Sequence, residues 1–324
     1  MKKLSEFELI DKFFSPLSNK LNGRNLVDDA ALIQPKTGKE IIITTDTIVQ
    51  GVHFIGDELP HEIAKKALRV NLSDLAAMGA VPNFYLMAIS LPENINEVWL
   101  ENFSQGLAQD QEKYSLKIIG GDTVKTSGPL TITITCLGEV FAGKAIGRNT
   151  AEVGDNIFVS GYIGNASLGL DFLKGKINYP EIDCTEFVNS YRLPEPRCDL
   201  GCHLTNIVSS AADISDGLIS DIKSLCTASN VGARIELCTI PITKNAAEIV
   251  SINSKYFHRI INGGDDYELV FTANPIYSNK IMYLSQSLEL PITKIGIITD
   301  SAEVLILDKN NNSLFMESEG FKHR

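Results

Sequence analysis

Aspartates recur in this chain at the margins of apolar segments. Asp28 and Asp29 lie in VDDAALI, Asp46 closes IIITTD, Asp74 sits within NLSDLAAMGA, Asp122 follows the run IIGG, and Asp213 and Asp216 flank Ser215 in AADISDGL. One such residue is ordinarily a helix cap, an Asx turn or a solvated side chain, and Ser215 or Asp216 could simply cap a helix beginning near Gly217. So many anions beside apolar neighbours repel one another and resist desolvation, an arrangement that makes sense when divalent cations neutralise them. Oxygen-only donors point to magnesium, or manganese in its place, with phosphates completing the shell. Asn71 and Asp74, three apart in a helical stretch, share a face, and Thr44 and Thr45 offer hydroxyl or carbonyl oxygens beside Asp46.

Two glycine-bearing segments and one cation extend this chemistry. In GGDT (Gly120–Thr123), paired glycines let backbone amides approach a phosphate closely while Asp122 holds its metal; a plain turn is the competing reading. Arg148, in GRN, is either a surface arginine or a cation placed to meet phosphate oxygens. GGDDYEL (Gly263–Leu269) reads as a glycine turn solvated by its acids, or as a second, substrate-facing acidic site. No GxxxxGK[ST] and no HRD or DFG set occurs, which excludes the P-loop and protein-kinase scaffolds.

The elements that must position these residues alternate between strand and helix patterns. Glu40–Thr45 and Phe84–Leu91 read as buried strands, Pro60–Gly79 and Glu97–Tyr114 as helices, Leu116–Ile119 as a short strand, and Leu130–Val140 as a half-exposed strand alternating Thr with apolar residues. The polar stretch Gly147–Asp155 marks a boundary, giving domains 1–146 and 147–324. Beyond it, Asn156–Ser160, Tyr267–Ala273 and Ile295–Leu307 supply strands, and Asn165–Leu173 and Gly217–Ala228 supply helices. The mixed order predicts two α+β domains rather than one doubly wound sheet.

The 324 residues carry a net charge of −11, a field that repels nucleic acid and anionic membranes. No signal-peptide pattern and no run of 18 apolar residues occurs, so a soluble cytoplasmic protein is expected. Six scattered cysteines without a CxxC pair read as reduced, mostly buried thiols, and Cys198, Cys202 and His203 make a poor zinc set.

With these segments in view, the chain resembles the thiamine-monophosphate kinase family. DDAAL, TTDTIVQGVHF, KALRVNLSDLAAMGAVP, IIGGDT, GR, LPEPR, DISDGLISD and GGDDYEL occur in that family's order from about residue 28 to 269, and GFKH echoes its C-terminal end. The resemblance implies the PurM-like superfamily, which includes aminoimidazole ribonucleotide synthetase, and hence a homodimer associating through N-terminal strands. It implies an N-terminal ATP- and magnesium-binding domain, a C-terminal domain completing the active site, and phosphorylation of thiamine monophosphate by ATP to thiamine diphosphate. By position it implies several magnesium ions held by Asp29, Thr44, Thr45, Asp46, Asp74, Asp122, Asp213 and Asp216, with Asp46, Asp122 and Asp213 central to catalysis. Gly121, Asp122, Arg148 and Ser215 would contact ATP, and His53, Asp265 and Phe321 the thiamine phosphate. Family members usually carry glutamate where this chain has Asp265, whose carboxylate reaches one methylene less far. Rival readings are another ATP-dependent synthetase of the superfamily and a non-catalytic magnesium-nucleotide regulator. A selenophosphate synthetase would want a reactive Cys near the N-terminus, and none precedes Cys136.

Overall fold

The computed structural model describes residues 5–26, 28, 30–179, 181–310 and 312–314. The chain divides into two compact units, Met1–Leu75 with Ala80–Gly143, and Ala76–Gly79 with Lys144–Arg324. Both are α+β.

The first unit opens on α1 (Glu6–Leu9), where Ser5 and Glu8 satisfy each other's backbone N–H groups in a capping box. There follow β1 (Lys39–Val49), α2 (Pro60–Ala77), β2 (Val81–Pro92), α3 (Glu97–Lys113), β3 (Lys117–Thr126) and β4 (Thr131–Phe141). The sheet order is β1-β4-β2-β3, with β4 antiparallel to both neighbours and β3 parallel to β2. A parallel pair needs a crossover, and α3 supplies it, starting from an Asn96 side chain that caps the Trp99 N–H. Strand alternation sets the faces: Tyr85, Met87 and Ile89 of β2 and Ile132, Ile134 and Cys136 of β4 are buried, while Thr131, Thr133 and Thr135 are only partly so. Between the helices, buried Arg69 of α2 grips both carboxylate oxygens of buried Asp110 in α3, at 2.8 and 2.9 Å.

Two strands run further than their sequence patterns suggest, and both extensions move a candidate residue. Because β4 pairs with β1 along all of Lys39–Val49, Asp46 stands inside a strand instead of at its end. Asp122 likewise lies within β3, since the glycine pair stays in register with β2.

The second unit contains β5 (Asn156–Ser160), α4 (Asn165–Leu173), α5 (Thr185–Arg192), α6 (Cys198–Leu204), β6 (Ser210–Asp213), α7 (Leu218–Ser229), β7 (Gly232–Glu236), α8 (Lys244–Ile252), α9 (Lys255–Asn262), β8 (Leu269–Ala273), α10 (Ser278–Ser287), β9 (Ile292–Thr299), β10 (Val304–Leu307) and β11 (Ser313–Leu314). Its sheet order is β11-β10-β7-β9-β5-β8-β6, antiparallel except where β10 meets β7. Every residue of β5 and β8 is buried, as central strands covered on both faces must be. On one side Leu168, Phe187, Leu218, Ile222 and Ile260 join Ile157, Val159 and Val270 in a common core. Phe158 and Phe271, paired across β5 and β8, stack at 5.5 Å.

On α6, Cys202 turns back to the Cys198 carbonyl at 3.1 Å, and His203 Nδ1 meets the Asp199 carbonyl at 2.6 Å. Cys136, Cys184, Cys198 and Cys226 are buried. Among the described residues, no helix is long and apolar enough to cross a membrane.

Candidate functional site

In the first unit, strand alternation gathers one group of candidates on the face that α2 covers. Thr44 donates its hydroxyl to Asp74 Oδ2 at 2.5 Å, tying the strand to the helix, and Asp46, two residues on, shares the Thr44 face. A hydroxyl that gives its proton to a carboxylate leaves its lone pairs for a cation, so Thr44, Asp46 and Asp74 form an all-oxygen set suited to a hard ion. Asn71, also on α2, is fully buried and turns its amide back to the Ala67 carbonyl at 3.1 Å. Thr45 faces the other way, where its hydroxyl meets the Ile134 carbonyl at 3.2 Å and Thr135 Oγ1 at 3.0 Å.

Asp122 belongs to that opposite face. Across the sheet, Asp46 shares a row with Ile134, Met87 and Gly121, whereas Asp122 shares one with Ala88, Thr133 and Thr47. The cause is a bulge: Tyr85 pairs with Ile118 but Leu86 with Gly120, and the extra Ile119 flips the parity of everything after it. Gly121 is obligatory, because a Cβ there would stand 1.9 Å from the Met87 carbonyl oxygen. The open face carries a hollow of about 610 Å³ lined by Asp28, Ala31, Gly120, Gly121, Asp122 and Thr133 among others. Asp28 pairs with Arg24 at its edge.

His53, in the turn after β1, accepts the Val49 N–H on Nδ1 at 3.0 Å. That bond fixes the ring and places the proton of the neutral imidazole on Nε2. Asp29 and Phe321 lie outside the described residues.

In the second unit, Asp213 ends β6 with its side chain buried, and Arg148 Nη2 stands 3.5 Å from its Oδ1. Ser215 and Asp216 follow in the loop to α7, both half-buried. Neither caps the helix. Instead Asp221, from inside the first turn of α7, takes the N–H groups of Ser215, Asp216 and Gly217 on one oxygen at 3.1, 3.2 and 3.2 Å. Burial, with the nearby Asp216 charge second, pushes the Asp221 carboxyl up to about 7. Sequence reasoning passed over Asp221, because an acid in a first helical turn looks like routine dipole compensation.

The acids of GGDDYEL separate into three roles. Asp265 adopts φ +72° and approaches the Tyr267 hydroxyl at 3.4 Å; a non-glycine residue held in this region marks a constrained loop. Asp266 turns its carboxylate onto the start of α4, accepting from Gly164 and Ala166 N–H at 2.7 and 3.3 Å. Burial of that carboxylate raises its pKa well above the ordinary range, against the two backbone bonds that lower it. Glu268 is buried and bound by Ser160 Oγ at 2.5 Å and by both arms of Arg197, from the LPEPR segment. The glycine before Asp265 is as constrained as the acids, since a Cβ on Gly264 would lie 2.2 Å from the Ser215 carbonyl oxygen.

Within the described residues of either unit, no three His, Cys, Asp or Glu side chains close a ready ion cage. The candidate donors of the first unit are one hydroxyl and two carboxylates, oxygen groups whose chemistry fits a hard cation such as magnesium only if waters or phosphates complete its shell.

Comparison with known proteins places the chain in a family. Residues 27–140 match AIR synthase related protein, N-terminal domain, and residues 152–308 match its C-terminal domain. The thiamine-monophosphate kinase of Buchnera aphidicola subsp. Schizaphis graminum is 37% identical over 322 residues, 98% of each chain. A solved thiamine-monophosphate kinase from Stenotrophomonas maltophilia K279a superposes with a TM-score of 0.84 at 37% identity, over 94% of this chain and 96% of that one. The structure of AaThiL complexed with AMPPCP and TMP superposes at 0.79 and 28% identity, over 100% and 99%. With both halves matched by the same two-domain family and nearly the whole length shared with kinases of one name, the chain belongs to the thiamine-monophosphate kinase family of AIR synthase related proteins.

Proposed function

We infer that the protein transfers the γ-phosphate of ATP to thiamine monophosphate, giving thiamine diphosphate and ADP. The observation that carries this reading is 37% identity with a thiamine-monophosphate kinase over 98% of both chains. The relative complexed with AMPPCP and TMP supports both substrates.

A phosphate monoester has a second pKa near 6, so the acceptor is already mostly dianionic at neutral pH and needs no strong general base. The obstacle is anion against anion. Magnesium, when bound, cancels that repulsion and stabilises charge on the group in transfer. In this reading Thr44, Asp46 and Asp74 hold metal on the helix-covered face of the first unit's sheet, while Asp122 and Thr45, which face the other way, serve a further ion, with Asp29 as another ligand. Asp213 and Asp216 serve the same purpose in the second unit. The Gly121 backbone admits phosphate oxygens without steric conflict, and Arg148 and Ser215 bind the nucleotide. His53 positions the acceptor: with Nδ1 committed to Val49, the ring presents Nε2–H as a donor to phosphate. Asp265 and Phe321 contact the thiamine end. The ATP- and metal-binding domain is residues 1–146, and residues 147–324 form its partner domain.

We place the enzyme in the cytoplasm as a homodimer associating through the first unit's strands. The eleven-residue edge strand β1, with Ile43 62% exposed, supports that surface, since a long exposed edge is normally covered.

The deciding experiment is coupled ADP formation with thiamine monophosphate, thiamine and an aminoimidazole ribonucleotide precursor as alternative acceptors, with and without magnesium. Turnover only with thiamine monophosphate and only with the metal is expected. Turnover on the aminoimidazole precursor alone would overturn the reading in favour of a synthetase, and none on any acceptor in favour of a regulator.

A further inference from the structure

Three consecutive amides, those of Ser215, Asp216 and Gly217, point at a single oxygen of Asp221, which is 4% exposed. Successive N–H groups converge in this way only where the backbone curls into a concavity, the arrangement that elsewhere captures a free anion. Here the chain fills the concavity with its own carboxylate.

The same loop is held from its other side. The Ser215 carbonyl accepts from Asp265 N–H at 2.9 Å and the Ile214 carbonyl from Tyr267 N–H at 2.8 Å, while Ile214 N–H donates to the Glu268 carbonyl at 2.8 Å. The segment after β6 is thus fixed between the Asp221 carboxylate and the backbone of GGDDYE. The GGDDYE backbone takes positions that side-chain-bearing residues avoid, Asp265 at φ +72° and Tyr267 at +52°, while Gly217 at +122° uses a conformation open to glycine, where a Cβ would lie 2.6 Å from the Asn262 carbonyl oxygen.

We propose that Asp221 is a positioning residue of the phosphotransfer site, clamping the Ser215–Gly217 backbone so that Asp213 and Asp216 meet the metal and Ser215 the nucleotide in one fixed arrangement. Through the Ser215 and Ile214 carbonyls, the clamp also sets the loop that carries Asp265 toward the acceptor. The identity of the ligands rests on the kinase reading above; the clamp itself rests on the hydrogen bonds.

The test compares wild-type protein with Asp221→Asn, Asp221→Ala and, as a control, Asp46→Asn. Asparagine keeps one oxygen for the three amides but is a weaker acceptor than a carboxylate, and its amide group adds a donor; alanine removes the acceptor altogether. Three quantities are measured: amide hydrogen exchange at residues 215–217 by NMR, manganese binding followed by the paramagnetic resonance of the free ion, and the magnesium dependence of ADP formation. For Asp221→Asn the expected result is faster exchange at the three amides and manganese affinity lowered about 10–100-fold, the usual loss when a group supporting metal ligands is removed. The magnesium concentration for half-maximal turnover should rise in parallel, and the KM for thiamine monophosphate should rise too. Asp46→Asn should weaken manganese binding with no change in exchange at residues 215–217.

A role confined to capping α7 would lower the melting temperature of Asp221→Asn and leave manganese affinity and half-saturation at wild-type values in the folded protein; that result overturns the proposal. Should the alanine variant fail to fold, the asparagine variant still decides. Wild-type protein that bound manganese but made no ADP would overturn the kinase reading, with exchange and manganese affinity in Asp221→Asn still deciding the clamp.

Discussion

Asp46 and Asp74 of the first unit and the acids around β6 and β8 in the second are the same kind of side chain in very different surroundings. On the first unit's sheet, a threonine hydroxyl, a neutral donor, ties Asp74 to β1. In the second unit, Asp221 receives three backbone N–H groups, Asp266 two, and Glu268 an arginine fork and a serine. Donors of that kind consume an acid's bonding capacity in holding the chain in shape. The lesson is that an acidic motif has no single meaning: what stands opposite each oxygen decides how far the acid is spent on holding the backbone.

The sharpest way to break the contrast is to neutralise one acid of each kind. Asp46→Asn should cut turnover by about 10²–10³-fold, equivalent to about 2.7–4 kcal/mol of lost transition-state stabilisation, while thermal unfolding shifts little. Steady-state ADP formation at saturating magnesium, beside a melting curve, checks it. Near-native turnover would remove Asp46 from the metal set. Arg197→Met should do the reverse and act first on stability. Stranding a buried carboxylate costs about 3–5 kcal/mol when the pair is wholly enclosed, and about 2–3 kcal/mol is expected here because Arg197 partly reaches solvent. Chemical denaturation measures this directly. A variant as stable as wild type would show that Glu268 is not held by that fork.

The sequence made the first kind of acid easier to find than the second. Thr44 and Asp74 meet as candidates because strand alternation turns Thr44 toward α2, and the same alternation puts Asp46 on the Thr44 face. Asp122 was found as a residue but not as a face. A single bulged residue, Ile119, turns it away from Asp46 and toward Thr133, and no local pattern announces a bulge. The clamp and the fork were hidden for another reason. Arg197 and Glu268 are 71 residues apart, and the Asp221 bonds exist only after the loop has curled back over its own helix. The two-unit α+β architecture was readable because it follows from the order of apolar runs, whereas these contacts depend on tertiary closure.

The smallest effect expected is also the one that tests the desolvated acid most directly. Buried at the start of α4, Asp266 has a folded-state pKa raised well above the ordinary aspartate value, chiefly by burial of its carboxylate. The folded protein therefore keeps this proton at pH values where the unfolded chain, with an ordinary pKa of about 3.9, has already released it. Where the folded state binds more protons than the unfolded one, stability falls as pH rises, so the contribution of Asp266 is lost progressively upward from about pH 4. Asp266→Asn cannot titrate, and its amide oxygen can keep the shorter bond from Gly164 N–H while losing that from Ala166, at a cost of about 1 kcal/mol typical of a weakened cap. Denaturation measured from pH 5 to 8 should then show wild type losing stability relative to the variant across the interval, narrowing or reversing the variant's initial deficit. Parallel curves would mean that Asp266 ionises in the folded protein as freely as in the unfolded chain, and that the two backbone amides outweigh burial.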